Sequence, residues 1–193
     1  MSVDNFNVSS STDSLLPSVA VLFARNDSIY KFIPGCDVYD IERDARSYSG
    51  SLPVVAHPPC RAWGKLRKLA KPREDERDLA FFALEMVRKN GGVLEHPIHS
   101  RLRIEGNLPQ PGNRDCFGGF ILGVNQSWWG HVAEKSTLLY FCGIQPRYVP
   151  IIPITLDSHT RTVESLSHSH REKTPLAFAA WLVDLANRCN HAR

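Results

Sequence analysis

The sequence predicts an α/β fold with a mostly parallel sheet, an antiparallel edge and helices on both faces, and three observations carry that prediction. Short apolar runs of strand length recur at residues 18–24, 36–41 and 53–56, joined by turns and brief helical pieces. One long segment of helical periodicity follows and leads directly into a fourth apolar run at 92–97. Beyond it, a strand-like stretch at 124–131 and an apolar run at 134–143 suit a hairpin, whose antiparallel pairing a parallel sheet accepts at its edge.

Each element has a local reason. Residues 1–17 are dominated by Ser, Asn and Asp and are expected to form a loose tail, so a single domain is assigned to 18–187, with 188–193 as a C-terminal tail. The first strand empties into the polar Arg25-Asn26-Asp27-Ser28, residues 29–33 make one or two helical turns, and Pro34-Gly35 turns the chain into the second strand. The main helix starts at 72–75, places Leu79, Phe82, Ala83, Met86 and Val87 at helical spacing, and stops at Asn90-Gly91-Gly92. Acidic Glu74, Asp75 and Glu76 open it and Arg88 and Lys89 close it, as the helix dipole favours; the pair Phe81-Phe82 is assigned to the core. Residues 99–123, rich in Gly, Pro, Arg and Asn, read as a long irregular connection of the kind that covers a substrate cleft. A further apolar run at 148–154 and a polar, His-rich loop at 157–171 precede the last helix. That helix is capped by Thr174, has Pro175 at its first position, and is expected to bury Leu176, Ala179, Ala180, Val183 and Ala186.

Composition narrows the class. A chain of 193 residues can bury a sizeable core, and its net charge of +3 is a mild basic bias compatible with a polyanionic partner. Five cysteines, an odd number without a Cys-x-x-Cys pair, argue for a reducing cytoplasm over a secreted disulfide framework. No apolar run approaches the roughly 20 residues of a membrane span, and no signal peptide opens the chain, so a soluble cytoplasmic protein is expected.

Chemistry concentrates at two strand ends. The run at 53–56 passes into His57-Pro58-Pro59-Cys60, where two prolines fix the backbone just before a thiol. The run at 92–97 ends in Glu95-His96-Pro97. In open α/β sheets ligands bind at the carboxyl ends of the strands, so Cys60 and Glu95 are expected at one rim, as nucleophile and acid. Basic residues Arg61, Lys65, Arg67, Lys68, Lys71 and Arg73, interleaved with Trp63, follow the thiol and could meet phosphates.

Together these segments resemble DNA cytosine-5 methyltransferases, in the compact phage-type form. The resemblance rests on the order of Pro58-Pro59-Cys60, Leu94-Glu95-His96-Pro97, Trp129-Gly130-His131 with Lys135-Ser136-Thr137, and Arg171 to Pro175 ahead of the last helix, over residues 18–187. It implies a Rossmann-like, methyltransferase-like sheet, with DNA or a nucleotide as substrate, S-adenosylmethionine as methyl donor, and the host cytoplasm as location for a phage-encoded chain. It assigns Cys60 and Glu95 to catalysis; Phe23, Asp40, Glu42 and Pro58 to the cofactor; and Arg61, Trp63, His96, Lys135 and Thr137 to the substrate. The glycines that follow the first strand in that family are absent after Phe23, where Ala24-Arg25-Asn26-Asp27 stands. Arg61 replaces a common Gln and His96 a common Asn. Two other readings stay open on the same residues: a zinc site drawn from His57, Cys60, His96 and His99, and a reduced domain that binds nucleic acid without catalysis.

Overall fold

The computed structural model describes residues 16–65, 67–155 and 162–189. The expected tails, apart from Leu16, Pro17, Arg188 and Cys189, and part of the polar loop at 157–171 lie outside the described residues.

Six strands form one mixed sheet: β1 (Val19–Leu22), β2 (Cys36–Tyr39), β3 (Val54–Ala56), β4 (Gly92–Pro97), β5 (Phe120–Asn125) and β6 (Ser136–Cys142), in the order β2-β1-β3-β4-β6-β5. The pairs β1/β2, β1/β3 and β3/β4 are parallel, whereas β6 runs against both β4 and β5. Five strands therefore point one way and β6 alone is reversed, with the antiparallel pairs confined to one end of the sheet.

Helix α1 (Glu76–Asn90) covers one face and α4 (Leu176–Arg188) the other. Because side chains alternate along a strand, Ala20 and Leu22 of β1 join the core beneath α1 with Leu84 and Val87, while Val19 and Val21 meet Phe178, Leu182 and Leu185 of α4. Burial on both sides explains why the strands read as continuous apolar runs rather than alternating ones.

Several segments differ from the sequence reading, each for a local reason. The segment at 124–131 is not one strand. Asn125 accepts from the amide of Ser127 and turns the chain into a 3₁₀ helix (Gln126–Trp129), which Gly130 ends at φ +89°. Strand β5 instead starts inside the supposed connection at 99–123, which also holds a single helical turn, α2 (Leu102–Glu105). Within the loop at 157–171, residues from His168 onward begin another short helix, α3 (His168–Glu172). The apolar run at 148–154 forms no strand: Pro150 and Pro153 lack amide donors, and Ile151 and Ile154 are exposed. Helix α4 buries Ala179, Val183 and Ala186 as expected, but its buried face also takes in Phe178, Trp181, Leu182 and Leu185, whereas Leu176 and Ala180 are exposed. Thr174 makes no cap bond; Pro175 holds the cap position. Phe81 and Phe82 are only partly buried, flanking Trp63 and Phe23 respectively. No helix among the described residues is long and apolar enough to cross a membrane.

The topology aims the site. From β1 the chain crosses to β2 on one side, whereas from β3 it crosses to β4 on the other, so strand order reverses between β1 and β3. Ligands of open α/β sheets occupy the crevice outside the carboxyl ends at such a switch point.

The join of α1 to β4 is the tightest backbone approach. Gly91 and Gly92 take φ +78° and +124°, and a Cβ on Gly92 would lie 2.0 Å from the Val54 carbonyl oxygen. Gly92→Ala is therefore expected to destabilise the fold by about 3 kcal/mol or more, read as a lowered urea midpoint, against a Gly112→Ala control that carries the positive-φ strain of about 1 kcal/mol but meets nothing within 4 Å of the added carbon.

Candidate active site

Strand β3 delivers the thiol. After Ala56 the amide of His57 donates to the Leu22 carbonyl at 3.0 Å, extending the β1 to β3 pairing by one residue, and Pro58 is buried. Cys60 is exposed, yet its loop is fixed on its far side. The Cys60 carbonyl accepts from Trp63 at 3.0 Å and Gly64 at 2.9 Å, and the Trp63 carbonyl accepts from Arg101 at 3.1 Å. The Trp63 side chain is completely buried, edge-on to Phe81 with the Arg77 guanidinium over its ring. Arg61 reaches back to Glu76, a fully buried carboxylate in the first turn of α1.

Strand β4 delivers the acid, and four elements converge on it. Glu95 Oε2 lies 3.1 Å from His57 Nδ1, and Glu95 Oε1 accepts from Gln126 Nε2 at 3.1 Å. The Gln126 amide nitrogen also donates to Thr137 Oγ1 at 3.0 Å, and that hydroxyl donates to the Lys135 carbonyl. Behind His57, its Nε2 lies 3.0 Å from the hydroxyl of Tyr30, which is almost completely buried in the 3₁₀ helix Ile29–Phe32. A carboxylate facing Nδ1 requires the proton there, which leaves Nε2 to accept from Tyr30.

Electrostatics follows from this packing. Burial alone raises Glu95, but the His57 hydrogen bond and the Lys135 charge, with a smaller contribution from the neighbouring imidazoles whenever they carry a proton, outweigh it and hold the carboxyl down at about 2. Thinned hydration and the Glu95 charge push the Cys60 thiol up, while Lys135 pulls it down. Burial pushes His96 down to about 4, so its imidazole is neutral near pH 7, with Nδ1 2.6 Å from Ser100 Oγ. Tyr30 is driven well above its ordinary value by burial and by the charges of Glu95 and Cys36.

The expected site residues therefore separate. Cys60, Glu95 and Lys135 share one electrostatic neighbourhood. Trp63 and Thr137 have no exposed surface and His96 almost none, so none of the three offers a face to a substrate: Trp63 anchors the thiol loop, Thr137 orients Gln126, and His96 backs the rim. Arg61 is occupied by Glu76. Phe23 ends β1 at φ +62° and packs against Phe82. Asp40 is buried; its Oδ2 takes Lys31 Nζ at 2.6 Å and its Oδ1 the amides of Glu42 and Arg43, while Glu42 is exposed beside Asn26. Among the described residues no three His, Cys, Asp or Glu side chains are grouped to hold a metal ion, and His57 and His96 already have other partners. Sequence reasoning missed Tyr30 and Gln126 and gave His57 only a metal-ligand role; its adjacency to Pro58-Pro59-Cys60 was the available signal.

No protein-family model matches the chain, and no curated protein matches it significantly.

The depressed carboxyl has a consequence for stability. A carboxyl held below its ordinary 4.5 stabilises the fold while ionised, and that contribution is lost as pH falls from 4.5 through about 2. Urea midpoints measured across this window should fall more steeply for the natural chain than for Glu95→Gln.

Proposed function

We propose that this chain is an enzyme of the DNA cytosine-5 methyltransferase type, in which Cys60 attacks the 6-position of a cytosine while Glu95 engages the ring's N3 and amine edge. The observation that carries the reading is the placement of the thiol past the end of β3 and of the carboxylate on the neighbouring parallel strand β4, just past its last pair with β3, each feeling Lys135 and the thiol feeling the carboxylate. The reversal of strand order between β1 and β3, directly below, supports reading the sheet as Rossmann-like.

The chemistry needs both groups. Addition of the Cys60 sulfur to C6 pushes the C5–C6 electron pair into the ring, making C5 nucleophilic and loading negative charge onto N3. A carboxyl at N3 and the exocyclic amine offsets that charge, a type of assistance worth about 10²–10⁴ in rate. Lys135 lies on the same rim as the cation for the thiolate or the ring oxygen. A stacked base cannot reach a thiol at a strand end, so the substrate is single-stranded DNA, a flipped base or a free nucleotide.

S-adenosylmethionine is proposed as methyl donor on the resemblance alone. The residues expected to hold it do not fit that role: Asp40 has both oxygens occupied within the protein, and the turn after β1 carries Phe23 in the left-handed region in place of a glycine.

Addition and elimination at C6 exchange the C5 hydrogen with solvent without any donor, which gives a direct test. In D₂O, a cytosine-containing single-stranded oligodeoxynucleotide should gain one mass unit per attacked base. Cys60→Ala is expected to abolish the exchange, and Glu95→Gln to slow it by about 10²–10⁴. Exchange that persists in Cys60→Ala, or is absent from the natural chain with both oligonucleotide and deoxycytidine monophosphate, refutes the reading.

A further inference from the structure

Glu95 is ionised at rest, whereas charge building on N3 calls for a proton. Cys60 is a thiol at rest and must lose a proton to attack. One proton therefore has to leave sulfur and arrive at nitrogen, and Glu95 is the carboxylate whose charge the Cys60 thiol feels most. What decides whether Glu95 can take it is how its own charge is held, and that falls to two residues that do not touch the reacting atoms.

The geometry is specific. His57 sits between Glu95 and Tyr30, with its two ring nitrogens at 3.1 Å and 3.0 Å from their respective oxygens. His57 and Glu95 keep only 14% and 13% of their side-chain surface, so water competes little for these bonds. Among the described residues the ionisable groups acting on the set are Tyr30 from the 3₁₀ helix before β2, Cys36 at the start of β2, Cys60 on the loop that follows His57, His96 on β4, Lys135 ahead of β6 and Glu172 at the end of α3, whose charge the thiol also feels. Gln126 donates to the second carboxylate oxygen but carries no charge. A Tyr30 hydroxyl donating to Nε2 fixes the tautomer that presents Nδ1–H to Glu95; with the other tautomer, a bare nitrogen would face the carboxylate.

We propose, resting on the cytosine reading above, that His57 and Tyr30 are positioning residues that keep Glu95 ionised as the acceptor of the Cys60 thiol proton, which Glu95 then delivers to N3. The balance closes within the site. The S–H bond breaks as the S–C6 bond forms, its proton passes to Glu95, and from there to N3 as the ring accepts the electron pair. Collapse of the adduct returns the proton by the same route, so no outside acid or base is consumed. His57 keeps its Nδ1 proton throughout and acts by donating it as a hydrogen bond.

The test uses the full chain and two readouts: the pH profile of C5 deuterium exchange, and titration of the Glu95 carboxyl by ¹³C NMR in protein labelled at glutamate. His57→Phe removes the donor, His57→Gln offers an amide donor in its place, and Tyr30→Phe releases the tautomer. In His57→Phe the acid limb of the exchange profile and the Glu95 titration are expected to move up together by at least about one pH unit. His57→Gln should restore part of that shift, and Tyr30→Phe should show a shift in the same direction, which keeps the test decisive if His57→Phe fails to fold. Profiles and titrations that overlay the natural chain in all three variants overturn the proposal. A carboxyl titration that moves while the natural chain shows no exchange overturns the cytosine reading and supports control of Glu95 by His57 and Tyr30.

Discussion

A carboxylate with little access to water must find its compensation in the protein, and the carboxyl end of this sheet is organised around that requirement at Glu95. Its partners come from four places in the chain: His57 after β3, Gln126 after β5, Lys135 before β6 and His96 beside it on β4. Each partner is tied down in turn, His57 by Tyr30 and Gln126 by Thr137. The reversed strand β6 has a part in this, because it brings Thr137 and Lys135 across to β4, where Thr137 pairs in register with Pro97. An unmet charge here would cost the fold as well as the chemistry, so folding and site assembly are coupled at one residue.

A second buried charge does the same for the loop that carries Cys60. Glu76 in the first turn of α1 is fully enclosed and meets Arg61, the residue next to Cys60. The helix that fills one side of the core thereby also fixes the segment carrying the thiol. Basic residues after Cys60 that look in sequence like a single phosphate-binding cluster are in fact divided, with the half-exposed Arg61 engaged by Glu76.

Strand ends were legible in the sequence wherever a proline or glycine punctuated an apolar run, as at β3, which leads to Cys60, and β4, which carries Glu95. The helix at 76–90 and the strand at 92–97 were legible for the same reason. Side-chain direction was not. Trp63 reads as an aromatic on an exposed basic loop, and only the packing of Phe81 and Arg77 around it reveals a core residue. His57 and Tyr30 are 27 positions apart, and nothing local to either predicts that their rings meet. In α4 spacing found Ala179, Val183 and Ala186 but not the bulkier Phe178, Trp181, Leu182 and Leu185 that fill the same side, because volume is invisible to spacing.

The burial of Trp63 three residues past the thiol also bears on how anything reaches the sulfur. With the indole sealed in the interior and the Cys60 carbonyl holding two amides, the segment cannot swing outward without opening the core. Motion needed for any encounter thus falls to the incoming molecule, which must approach a stationary thiol.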